Sequence, residues 1–155
     1  MFRVVLAVLL AAALLGVALP VVDSARVTHA DGQVRTELDH LETAARDLSE
    51  ESDPVGPAGS GARLERSVLL PEASWGRAGV ERLTIPGSAD TPVRWRVDGG
   101  ETHTAWPSPP LIAPPDGLVL RESGRHRLRL ALERRDGRQV VVVSRADRPG
   151  RGAEI

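Results

Sequence analysis

The chain has 155 residues, 41% of them hydrophobic and 26% charged, with a formal net charge of −1 and no cysteine. The missing cysteine excludes a disulfide framework and thiol chemistry, so any folded part must rest on its core alone. All 20 basic residues are arginine, and lysine, tyrosine and asparagine are absent, a bias that reads as a GC-rich genome rather than as a mechanism.

From Val4 to Val22 (VVLAVLLAAALLGVALPVV) the chain carries no charge, and only Arg3 lies upstream. The run is close to the ~20 residues that a helix needs to cross the hydrocarbon core of a bilayer. Pro20 sits near its far end, where it would kink the helix or mark its emergence. A cleaved secretory signal is the rival reading, with Arg3 as n-region, Val4–Leu15 as h-region and Gly16-Val17-Ala18 as the small-x-small site. A buried core helix is a third reading, but it needs a larger domain around it than this chain supplies. The expectation is a membrane anchor over residues 1–22, with the N-terminus cytoplasmic and the C-terminal part external, as Arg3 and the terminal amine favour.

Behind the run, Val27, Val34, Leu38, Leu41, Ala45 and Leu48 advance at the a/d spacing of a narrow helical seam, with Asp31 as the one polar intruder. Arg35, Glu37, Asp39, Glu42, Arg46, Asp47 and Glu50 lie between them and would face water. Gly32 is a weak point, costing about 1 kcal/mol relative to alanine. The reading is an amphipathic helical stalk over residues 23–53. Its apolar stripe packs either on the chain's own globular domain or on neighbouring copies or another membrane partner. In the second case Val34, Leu38, Leu41, Ala45 and Leu48 are the assembly contacts.

Residues 54–62 are a Pro/Gly linker (PVGPAGSGA), a composition that resists helix and strand alike. The remainder reads as β. Arg63–Leu70 and Val80–Ile85 are candidate strands, each closed by a proline, and Val93, Trp95 and Val97 alternate with arginines as in a half-buried strand. Asp98-Gly99-Gly100 is a turn, with Glu101–Trp106 as the return strand. Pro107–Pro115 is extended and unsuited to a sheet centre. Leu118–Leu120 is a short strand. Leu128, Leu130 and Leu132 then alternate toward an Asp136-Gly137 hairpin turn, and Gln139–Ser144 returns; with Arg135 opposite Arg138, Leu132 faces Val141 and Leu130 faces Val143. Six or seven short strands over residues 63–147 argue for a small antiparallel β-sandwich or barrel, and residues 148–155 for a disordered tail.

Charge is divided along the chain. Residues 23–53 hold nine acids and three arginines, a net of −6, and residues 121–151 hold ten arginines and four acids, a net of +6. The two blocks would attract each other within or between copies. A nucleic-acid role for the basic hairpin lacks the aromatic platforms that single-strand binders use, and a solvated edge accounts for the arginines. His29, His40, His103 and His126 make no metal-ligand spacing, and no H-E-x-x-H, phosphate loop or G-x-S-x-G occurs. No enzymatic activity, metal or cofactor is expected. Trp75, Trp95 and Trp106 are read as core in preference to the lining of a ligand groove.

An apolar helix with a proline about twenty residues in, an amphipathic continuation and a C-terminal β domain resembles the layout of type IV pilins and pseudopilins. Met1-Phe2-Arg3 is not their usual leader ending in a basic residue and glycine, and no acid precedes Asp23, where they place an early glutamate. The segments MFRVVLAVLLAAALLG and LVLRESGRHRLRLALERRDGRQVVVVSR are similar to an uncharacterised haloarchaeal family of membrane-anchored proteins encoded near type IV pilus-type secretion ATPases. Ser123-Gly124-Arg125-His126 also resembles the turn-Gly-x-Tyr entry to a late strand of immunoglobulin-like sandwiches, with His126 in the tyrosine's place. The resemblances imply an α+β protein, a long anchored helix followed by a pilin-like or immunoglobulin-like sandwich. Its expected role is a non-enzymatic structural or accessory component of a pilus-like or secretion assembly. The expected partners are membrane lipid, proteins of that assembly and further copies through the stalk, without nucleic acid. The alternative is an exported, membrane-tethered β-sandwich binding module unrelated to pili.

Overall fold

Phe2–Glu51 form one continuous helix, α1, in the computed structural model of the chain, which describes residues 2–51 and 62–146. The side chains of Leu15 and of residues 17–20 also lie outside the description, as do the expected tail over 148–155 and all but Ala62 of the expected linker. The helix follows from long stretches of leucine, alanine, glutamate and arginine, the strong helix formers. It runs through Pro20 and Gly32 without a break. At Gly32 nothing lies within 4 Å of where a Cβ would stand, so the residue serves no packing need there.

Eight strands follow: β1 (Arg63–Leu70), β2 (Val80–Ile85), β3 (Val93–Val97), β4 (Thr102–Ala105), β5 (Leu111–Ile112), β6 (Leu118–Leu120), β7 (Gly124–Arg135) and β8 (Arg138–Arg145). They form two four-stranded sheets, in the orders β1-β7-β8-β5 and β4-β3-β2-β6. Every pairing is antiparallel except β5 with β8. The protein is therefore α+β, with a long N-terminal helix and two small, largely antiparallel sheets.

The β7–β8 hairpin has the expected register, Leu130 opposite Val143, Leu132 opposite Val141 and Arg135 opposite Arg138. Its turn places Asp136 at φ 50° and Gly137 at φ 78°, the left-handed pair that an Asp-Gly hairpin turn requires. The proline-rich segment does enter a sheet, but only at its edge: Leu111 and Ile112 pair in parallel with Val141 and Val142. An edge strand tolerates flanking prolines because one side of its backbone needs no partner.

The second half of α1 takes the first of the two packings open to its stripe, the one on the chain's own domain. It packs on β1, β7 and β8 of one sheet and on β3 of the other. Ala30, Val34, Leu38, Leu41, Ala44, Ala45 and Leu48 are buried in one cluster with Val68 and Leu70 of β1, Leu83 and Ile85 of β2, Trp95 of β3 and Leu128, Leu130 and Leu132 of β7. This segment is a third wall of the domain rather than a separate stalk. Val34, Leu38, Leu41, Ala45 and Leu48, expected as candidate contacts between copies, are covered by the chain's own sheets. The physical reason is economy of apolar surface: two small four-stranded sheets cannot enclose a core this size without the helix stripe.

Among the described residues, no helix is long and apolar enough to cross a membrane. The undescribed side chains of Leu15 and residues 17–20 fall inside the run expected to be the anchor.

Candidate functional site

Burial along α1 begins at Arg26. Every described side chain from Phe2 to Ala25 is exposed, among them Val4, Val5, Leu6, Val8, Leu9, Leu10, Leu14, Val21 and Val22. Each large apolar side chain of this kind gains about 1.5–3 kcal/mol when removed from water, so a helix segment that exposes a row of them is a candidate interaction surface. An exposed apolar area of this extent marks an interaction surface.

Where this helix enters the domain, two loops grip it. The first is the β1–β2 connection, residues 71–79. Ser74 and Arg77 close a tight turn in it by exchanging backbone hydrogen bonds, Ser74 N to Arg77 O at 2.9 Å and Arg77 N to Ser74 O at 3.2 Å. The turn is pinned to the helix: Arg26 Nη2 donates to Ser74 O at 2.8 Å, and Ala78 N donates to Arg26 O at 3.5 Å. Trp75, at the tip of this turn, is 93% exposed. The second loop is the β3–β4 turn, tied to the first by Asp98 N donating to Gly79 O at 2.9 Å. Its Gly100 is tightly enclosed, since a Cβ there would lie 2.8 Å from Val97 Cγ2 of β3 and 3.1 Å from Val27 Cγ1 of the helix.

One turn further on, Asp31 explains the break in the apolar seam. Its Oδ1 accepts from Trp95 Nε1 at 2.6 Å and lies 3.4 Å from His103 Nε2. The Trp95 and His103 rings stack with centroids 5.4 Å apart. Trp95 is only 4% exposed, so its indole N–H needs a partner inside the protein, and α1 supplies it. Asp31→Ala is expected to lower stability by about 1–3 kcal/mol by stranding that donor, whereas Asp31→Asn, which keeps an acceptor, is expected to cost about 1 kcal/mol or less. Thermal unfolding of the two variants in detergent checks the order.

The three tryptophans do not line a common groove. Trp95 is core, while Trp75 and Trp106 are exposed. His29 and His40 lie exposed on α1, and His126 Nε2 donates to Glu122 O at 2.6 Å, a local bond across the entry to β7. Among the described residues, no group of three or more His, Asp or Glu is placed to hold a metal ion. The acidic and basic blocks are not joined by any ion pair among the described residues. Arg129 pairs with Glu65 of β1, Arg135 with Glu133, and Arg138 with Asp90.

The grip around Arg26 left no periodic trace in the sequence, because it is made by two loops. The available signals were Ser74-Trp75-Gly76, an aromatic set in turn residues, and the polar break at Asp31. Residues 1–146 match the family described as "Domain of unknown function (DUF7311)". No curated protein and no solved structure matches the chain.

Proposed function

We propose that this chain, which belongs to the DUF7311 family, is a non-enzymatic, membrane-anchored structural or accessory component of a pilus-like or secretion assembly. The observation that carries the reading is a single helix with two environments: residues 2–25 uncovered, and the remainder built into the core of a β-rich domain. The apolar part, Val4–Val22, is about 28 Å long at 1.5 Å per residue, close to the ~30 Å thickness of the hydrocarbon core. The N-terminus is cytoplasmic and the β domain external. A protruding apolar half-helix and a half-helix packed on β-structure also make up the layout that the pilin resemblance implies. Because the seam residues are spent inside the domain, assembly contacts fall to the protruding half and to the outer faces of the sheets.

The test uses the full chain in its native membranes. The protein is expected to remain in the pellet after alkaline carbonate extraction. A photo-crosslinking residue in place of Leu6 or Leu10 is expected to yield discrete adducts with components of the secretion or pilus apparatus. Adducts with lipid alone would remove the assembly role and leave a tethered binding module; release into the carbonate supernatant would remove the anchor as well.

A further inference from the structure

We propose that the β1–β2 turn carrying Trp75 is a second membrane contact, an aromatic foot that seats the β domain in the headgroup layer where α1 leaves the bilayer. This inference rests on the anchored reading above, and goes beyond it by assigning a lipid-binding role to a loop far from the apolar run in sequence.

The geometry places the foot at the right depth. The turn is pinned to α1 at Arg26, by the Arg26 Nη2 to Ser74 O bond of 2.8 Å. Arg26 lies four residues beyond Val22, about 6 Å along the helix axis. The interfacial layer on each side of the hydrocarbon is roughly 5–8 Å thick, from a total of ~40–45 Å around a ~30 Å core. If the apolar run fills the core, the Ser74–Arg77 turn therefore stands in the headgroup layer.

The chemistry agrees. Trp75 is 93% exposed, an anomaly for the largest apolar side chain, and it is flanked by the small residues Ser74 and Gly76, with little cover from any described residue. Tryptophan is the side chain enriched at membrane–water interfaces, where its ring sits among headgroups and its N–H finds acceptors. The loops at this end of the domain are close to balanced in charge, with Arg77, Arg121 and Arg125 set against Glu72, Asp98, Glu101 and Glu122, and carry no basic excess. The strand registers bring these loops to one end, since Leu70 pairs with Gly124 and Val80 with Val97. A balanced face gives no reason for selective attraction to anionic lipid, so the occupant is an uncharged or zwitterionic bilayer surface.

Trp106 supplies an internal control. It follows β4, whose Ala105 pairs with Val93, so it lies at the opposite end of the sheet from the β3–β4 turn, and it too is exposed. The experiment uses the full chain in phosphatidylcholine nanodiscs, in which both bilayer faces are open to solvent. Trp106→Phe leaves Trp75 to report, Trp75→Phe leaves Trp106, and buried Trp95 contributes equally to both. The Trp106→Phe protein is expected to be several-fold less quenched by acrylamide than the Trp75→Phe protein, and more quenched by lipid spin-labelled near the headgroup. Equal acrylamide quenching with no spin-label effect, in protein that co-elutes with nanodiscs, overturns the foot while leaving the anchor standing. Protein that fails to co-elute overturns the anchor, and the foot with it.

Discussion

Val34→Asp is expected to unfold the β-rich domain, whereas Thr36→Asp, two residues further along the same helix, leaves it folded. Val34 is 0% exposed and belongs to the central apolar cluster; Thr36 is exposed and its hydroxyl only bonds back to Gly32 O. Removing the valine side chain from the core costs about 1.5–3 kcal/mol. Leaving a carboxylate in its place, with no cation to receive it, costs several kcal/mol more. The sum, on the order of 5 kcal/mol, matches the low end of the ~5–15 kcal/mol that holds a typical domain together. At position 36 the same charge meets water, and the change stays within about 1 kcal/mol. Circular-dichroism melting of both proteins in detergent decides the point. A Val34→Asp protein that melts like the parent shows that the stripe faces something other than the chain's own sheets.

That experiment bears on what was legible in the sequence. The stripe of Val34, Leu38, Leu41, Ala45 and Leu48 was plain, because 3.6-residue periodicity is a property of one helix alone. Its partner was not, because a sheet and a neighbouring helix ask for the same spacing. Ala30 and Ala44 widen the buried face beyond a strict a/d seam, and that width is what distinguishes a core-facing helix from a coiled coil. The strands β1, β2, β3 and β6 were readable because proline and turn residues bracket alternating apolar runs, and the β7–β8 register because Asp136-Gly137 fixes the loop length. β5 was not readable: two residues inside a proline-rich segment pair in parallel with a strand thirty residues away, and nothing local specifies that. The grip on Arg26 was equally invisible, since a guanidinium-to-carbonyl bond spanning 48 residues leaves no pattern in either segment. Asp31 stood out as an interruption of the seam, but only the fold shows that its partners are Trp95 and His103.

The protruding half of α1 admits the sharpest test of what surrounds it. Leu10→Arg combined with Leu14→Arg is expected to abolish stable membrane insertion without altering the folded domain. Both leucines are more than 60% exposed, at 62% and 64%, and lie near the midpoint of the apolar run, so the substitutions disturb no packing on the described β domain. Six leucines and six valines lie between Val4 and Val22. At about −0.3 to −0.6 kcal/mol each near the bilayer centre, they favour insertion by roughly 4–7 kcal/mol. Two arginines at about +2.5 to +3.5 kcal/mol each oppose it by roughly 5–7 kcal/mol, and two of the leucines are lost besides. The balance therefore changes sign, and the variant is expected to move from the carbonate-resistant pellet to the supernatant or to an uninserted, aggregated fraction. Its melting transition in detergent is expected to stay at the parent value, since burial in the domain begins only at Arg26. A double variant that remains carbonate-resistant would falsify the anchor. A lowered melting point would show that the protruding half packs on the domain, contrary to the exposure of every described side chain before Arg26.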